Sequence, residues 1–186
     1  TEFSASLMLR AFNNIVPSVT AFIRKDILNS IGLLNANLHY TMDFDLFLRI
    51  GLQYKVLYNE HIESNLRVHP LAKSSSGYIL GLNEMYNTII DTKNSSDDPK
   101  IFGACIEGLA LGSTRLSIAF GQQGNYFDSL RWRAKSILYA LRRIYRKSML
   151  SLLAPGRLFP FVRKFRADSP ERGVEIVLDN NDWPAE

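Results

Sequence analysis

The spacing of apolar and polar positions divides the chain in two. Before about residue 75 the apolar runs are short and mixed in period. Phe3–Phe12 has helical spacing, with Leu7, Leu9 and Ala11 among polar residues, and the turn signal Asn13-Asn14 ends it. Val19-Thr20-Ala21-Phe22-Ile23 is rich in β-branched and aromatic residues and predicts a strand, with Pro17 tolerated at its entry. Lys25–Ile31 predicts a short helix stopped by Gly32, and Asn35-Ala36-Asn37 a loop. Leu46, Phe47, Ile50 and Leu52 recur near helical spacing, so a helix opens near Asp43 and runs to about Leu52. Lys55–Tyr58 and Ile62–Val68 read as two further strands. His69-Pro70 ends the second, because the residue before a proline avoids the α region.

The pattern changes after Ser74-Ser75-Ser76-Gly77, the clearest linker in the chain. Tyr78–Thr92 places Ile79, Leu82, Met85, Tyr86 and Ile89 on one helix face. A break at Asn94–Pro99 offers Asp97 or Asp98 as a cap and Pro99 as the first helical residue. Lys100–Phe120 predicts a second helix whose small residues, Gly103, Ala104, Gly108, Ala110 and Gly112, let another helix approach closely. Gly121–Gly124 is a turn and Asn125–Ser148 a third helix. The run Ala119–Tyr126 followed by Ser129 resembles the turn of a tetratricopeptide-type hairpin. No second copy follows at that period, so a plain antiparallel hairpin is expected.

The third helix is strongly amphipathic. Leu130, Ala134, Ile137, Leu138, Leu141, Ile144 and Tyr145 fall within an arc of about 120°. Arg131, Lys135, Arg142, Arg143, Arg146 and Lys147 lie on the other side, with Trp132 and Tyr139 among them. Either the apolar arc packs on a core and the basic face is solvated, or the basic face meets anionic lipid with help from Trp132 and Tyr139. The aromatics follow no recognised RNA-binding pattern, so nucleic acid is not implied. Val174–Leu178 reads as a short terminal strand. The expected organisation is an α/β part over residues 1–75, a helical extension over 76–150 and a basic-aromatic, then acidic, tail over 151–186.

Composition adds three constraints. The 186 residues suffice for one domain or a domain with an extension. Cys105 is the single cysteine, which excludes a disulfide framework or thiolate zinc site and reads as a small core residue in a reducing compartment. The net charge of +4 is unevenly spread: eleven Lys or Arg and no Asp or Glu lie between Arg131 and Arg166, whereas the last twenty residues are acidic. No signal peptide opens the chain, and Arg, Lys or Gln breaks the apolar stretches before about 18 residues, so no membrane-spanning helix is expected. The first residue is Thr rather than Met, which suggests a fragment or a processed piece.

The order of elements in the first part carries a resemblance. Asn14-Ile15-Val16-Pro17-Ser18 leads into Val19–Arg24; Lys25-Asp26-Ile27-Leu28 and Ile31-Gly32-Leu33-Leu34-Asn35 follow. Then come His39-Tyr40-Thr41-Met42-Asp43-Phe44-Asp45-Leu46-Phe47-Leu48-Arg49, and finally Leu66-Arg67-Val68-His69 and Lys73-Ser74. This order, over about residues 10–75, resembles the acceptor half of family 2 glycosyltransferases, inverting enzymes with a GT-A fold. The resemblance implies a partial GT-A-like α/β domain and the transfer of a sugar from a nucleotide-sugar donor to a saccharide, lipid-carrier or protein acceptor. It makes Asp43 the general base and puts Met42 beside it, where the family often has a carboxylate. It assigns Arg67 to the leaving diphosphate and His69 to a divalent metal, Mn²⁺ or Mg²⁺.

Asp45 and Arg49 read as structural, a first-turn stabiliser and an ion-pair partner. The only Asp-x-Asp is Asp43-Phe44-Asp45, which sits where the family has its base, and no Gly-rich segment precedes Asn14. The chain is therefore expected to lack the donor half and to be inactive alone, in the cytoplasm or at the inner membrane face. The alternative is a non-catalytic helical module that binds protein or membrane.

Overall fold

A computed structural model describes residues 3–57 and 77–152, with side chains described as far as Tyr145. The described residues form six α-helices and one 3-10 turn: α1 (Ala5–Ala11), the turn Ser18–Thr20, α2 (Lys25–Ile31), α3 (Met42–Gln53), α4 (Tyr78–Ser95), α5 (Pro99–Gln122) and α6 (Tyr126–Leu152). They contain no strand, and this overturns the expected α/β class. The stretch read as a first strand opens as the 3-10 turn and continues as extended chain with no neighbouring strand. β-Rich composition cannot make a strand alone, because its N–H and C=O groups need a partner's ladder. Val19 and Phe22 accordingly point outward, Phe22 with 93% of its surface exposed. Lys55–Leu57 is likewise irregular. The expected strand Ile62–Val68, the serine linker and the terminal strand Val174–Leu178 lie outside the described residues.

α5 is the centre, and α1, α4 and α6 all pack on it. Asp98 caps it by accepting the Lys100 N–H at 2.7 Å, and Pro99 opens it. By length and composition α5 could cross a membrane, but half of its apolar window is buried within the fold. Its small residues set the distances. On one side a Cβ at Gly108 would overlap the Leu9 carbonyl oxygen, and one at Gly112 would overlap the Phe12 ring, so α1 lies directly on the α5 backbone. α1 ends there with Phe12 in the left-handed region (φ 47°), a conformation disfavoured for a bulky residue. Two contacts hold it. The Phe12 ring is fully buried, and Arg115 donates to the Phe12 carbonyl at 2.8 Å with its guanidinium 5.8 Å from the ring centre.

The buried cluster runs across position 76. Met8, Leu9, Phe12, Phe44 and Leu48 pack with Leu82, Ile89, Leu109 and Leu116 in one core. Cys105 is fully buried in it, and burial pushes its thiol up to about 11.

α5 and α6 form the expected antiparallel hairpin through a polar seam. Ser129, Trp132, Ser136, Tyr139 and Arg143 recur at spacings of three and four, and face Gly121, Ser117, Thr114, Ala110 and Glu107 at the same spacings. Ser129 donates to the Ser117 carbonyl at 2.8 Å and Ser136 to the Ala110 carbonyl at 3.0 Å, while Arg143 pairs with Glu107 at 3.3 Å. Trp132 meets Tyr86 edge-on at 4.9 Å, the Lys135 ammonium lies 3.9 Å from the Trp132 ring, and Tyr86 donates to the Tyr139 hydroxyl at 3.2 Å. Burial, then the Tyr139 hydroxyl, raises the Tyr86 pKa.

This seam overturns the expected burial of the apolar arc of α6. Leu130, Ile137, Leu138, Leu141 and Ile144 face solvent, and Trp132 and Tyr139, expected to serve a lipid-facing basic surface, are packed inward.

Two glycines of α5 separate the packing effect from helix propensity. Gly108→Ala is expected to destabilise the chain by about 1–3 kcal/mol, because the obstruction is rigid backbone. Gly103→Ala, with nothing within 4 Å of its added Cβ, is expected to stabilise by about 0.5–1 kcal/mol. Opposite shifts in the thermal melts check this; equal melts would remove the close approach of α1.

Candidate functional site

The first turn of α3 gathers the chemistry that the sequence singled out. Asn35 shapes the loop before it: its carbonyl side-chain oxygen accepts the Asn37 N–H at 3.0 Å. The loop then crosses α4. The Tyr40 ring covers Gly77 so closely that a Cβ there would overlap it, and Gly81 is the next contact. Glu84, on α4, holds the last three residues of the loop. Its carboxylate accepts the N–H groups of His39 at 2.9 Å, Tyr40 at 2.8 Å and Thr41 at 3.0 Å, and the Thr41 hydroxyl at 3.2 Å. Burial alone would raise the Glu84 pKa, but these four donors outweigh it and hold the carboxyl below its usual range.

Thr41 is the cap residue of α3, though its hydroxyl makes no capping bond. Asp43 takes that part: its Oδ1 accepts the Phe44 N–H at 2.8 Å, one of the free first-turn donors. Its Oδ2 accepts from the Asn14 side-chain amide at 2.9 Å. Asn14 is itself oriented, because its Oδ1 accepts the Val16 N–H at 3.1 Å. The half-buried Asp43 carboxylate is thus fixed from two sides, and among the described residues one acceptor position per oxygen is unused. Met42 lies half-buried just before it.

Asp45 and Arg49 form a separate construction. Arg49 pairs with Asp45 at 2.9 Å one turn on, and its other donors reach the carbonyls of Ile31 at 2.6 Å and Leu33 at 2.8 Å. It ties α3 to the end of α2 and does not turn toward Asp43. Arg67 and His69, expected at the diphosphate and the metal, lie outside the described residues. Among the described residues no three His, Cys, Asp or Glu side chains converge to hold a metal ion. The surroundings of Asp43 offer one carboxylate and an amide, so they do not make a divalent-metal site by themselves.

Sequence reasoning placed Asp43, Asp45 and Arg49 on one helix but missed Glu84. Its partners lie 43 to 45 positions away, and they are backbone N–H groups, which leave no mark in side-chain patterns.

Glu84→Ala is expected to destabilise the chain by about 1–3 kcal/mol at neutral pH, because three loop N–H groups lose their acceptor. The folded pKa of Glu84 is lowered, so its contribution is full above the unfolded value of about 4.3 and fades as the pH falls through the folded value. Urea unfolding of both proteins from pH 7 downward should therefore converge in acid; a difference that does not shrink there would separate the effect from Glu84 ionisation. Comparison with protein-family models, with curated proteins and with solved structures finds no match to this chain.

Proposed function

We propose that the chain supplies the acceptor side of an inverting sugar transfer, from a nucleotide-sugar donor to the hydroxyl of a saccharide, lipid-carrier or protein acceptor, with Asp43 as general base. The observation that carries this reading is the hydrogen bond between Asn14 and Asp43. Two residues of the glycosyltransferase-like motif, 29 positions apart, meet with the Asp43 carboxylate oriented and, among the described residues, one acceptor position on each oxygen unused. The reading rests on this pair and on the order of the motif, not on a sheet.

In the reaction the acceptor oxygen forms a bond to the anomeric carbon as the bond from that carbon to the diphosphate oxygen breaks on the opposite face. The acceptor proton passes to Asp43 and from there to solvent. Asn14 keeps the carboxylate from turning, so a hydroxyl docked against it finds the base in place. Met42 gives the acceptor an apolar neighbour, and Arg67 is assigned to the departing diphosphate, which a guanidinium can pair bidentately.

The test uses the native protein as isolated from its source, assayed with a nucleotide-sugar donor and a hydroxyl acceptor. Asp43→Asn is expected to lower turnover by about 10²-fold or more, with the chain still folded but about 1 kcal/mol less stable, because one of the two accepting oxygens becomes a donor. Asn14→Ala should lower kcat less severely and leave KM near its original value. Turnover of Asp43→Asn near that of the unmodified protein would overturn the assignment of the base.

A second reading, a non-catalytic binding module built on α6, is favoured by the apolar stripe that this helix turns to solvent. Absence of any transfer by the native protein would make it the leading one.

A further inference from the structure

The apolar stripe of α6 has a shape and a charge border that identify what covers it. Phe127, Leu130, Ile137, Leu138, Leu141 and Ile144 are each at least 55% exposed. They lie on one side of the helix over about 26 Å, roughly 145° around from the serine-lined seam that packs on α5. The stripe is therefore not a core face waiting for another helix of this hairpin: the core side of α6 is already occupied. Aromatic residues stand at both ends, Tyr126 and Phe127 at the start and Tyr145 at the finish, each about 70–80% exposed.

The border is cationic. Arg131 and Arg133 are exposed and lie about 80° to either side of the stripe's midline, and Arg142 follows on the Arg131 side, also within 6.0 Å of the Phe102 ring. Asp128 is the single acidic residue of α6; it lies on the seam side, hydrogen-bonded to Asn125 at 2.7 Å. No Asp or Glu follows before Asp168.

We propose that α6 docks this stripe on an anionic bilayer surface, lying in the plane of the interface. Apolar side chains enter the acyl boundary, the terminal aromatics sit at headgroup level, and the flanking arginines reach lipid phosphates while their stems follow the apolar surface. A second copy docked stripe to stripe fits less well, because it would bring an equally cationic border against this one. The inference is independent of the sugar-transfer reading: its test measures no turnover.

The test is co-sedimentation of the purified chain with phosphatidylcholine vesicles, with and without phosphatidylserine. Binding is expected to the mixed vesicles, to weaken as salt rises, and to be slight on phosphatidylcholine alone. Leu138→Ser with Leu141→Ser should lower binding by at least about tenfold. Because both side chains are exposed, the thermal melt should not move. Arg131→Gln should lower vesicle binding by about fivefold. The proposal is overturned if the mixed vesicles are not bound, or if the double serine variant binds them as well as the original. It is also overturned if sedimentation velocity finds a dimer that this variant converts to monomer, which would assign the stripe to a second copy.

Discussion

Everything in the described fold depends on how little side-chain volume α5 carries. Where it meets α1, glycine at 108 and 112 admits the Leu9 carbonyl and the Phe12 ring into space that a side chain would fill. Where it meets α6, Ala110, Thr114, Ser117 and Gly121 line a seam shallow enough for serine hydroxyls to reach main-chain carbonyls. Glycine inside a helix is unfavourable by about 1 kcal/mol relative to alanine, so the packing gained on both sides must exceed that loss. The left-handed Phe12, the Arg115 bond to its carbonyl and the position of α1 all follow from that approach.

The candidate base owes its position to a second constraint, acting from α4. Glu84 binds three successive N–H groups just before α3 and so sets where that helix starts. Asp43 then falls on the first turn, within reach of Asn14. Arg49 performs a similar service at the other side by collecting the carbonyls that end α2. Both are charged groups satisfying main-chain atoms in a region without a sheet, where no ladder exists to do so. The conformation of residues 14–49 is thus specified by a few long side chains more than by regular structure.

Much of the helical half was legible in the sequence. Asp98-Pro99 announced the start of α5, the apolar spacing of Tyr78–Thr92 traced α4, and Gly121–Gly124 marked the turn into α6. The helix at Asp43 was legible too, from Leu46, Phe47 and Ile50. The strands were misread because composition reports the preference of a single segment, whereas a strand exists only with a neighbour, and Val19–Ile23 has none among the described residues. The apolar face of α6 was misassigned for a related reason. Amphipathicity says that a helix has two faces but not which one its partner can accept, and the small residues of α5 accept the face of Ser129, Ser136 and Trp132. Glu84 was invisible because main-chain partners leave no pattern to find.

Cys105 gives the molecule an internal reporter. Its thiol is fully buried on α5 among the contacts that join both halves of the core, and burial holds it protonated. Only the thiolate reacts, so the sulfur is silent toward alkylating reagents while α1, α4 and α6 remain seated. Its labelling rate therefore counts the moments when the core opens, a clock for the lifetime of the packed state that requires no added probe.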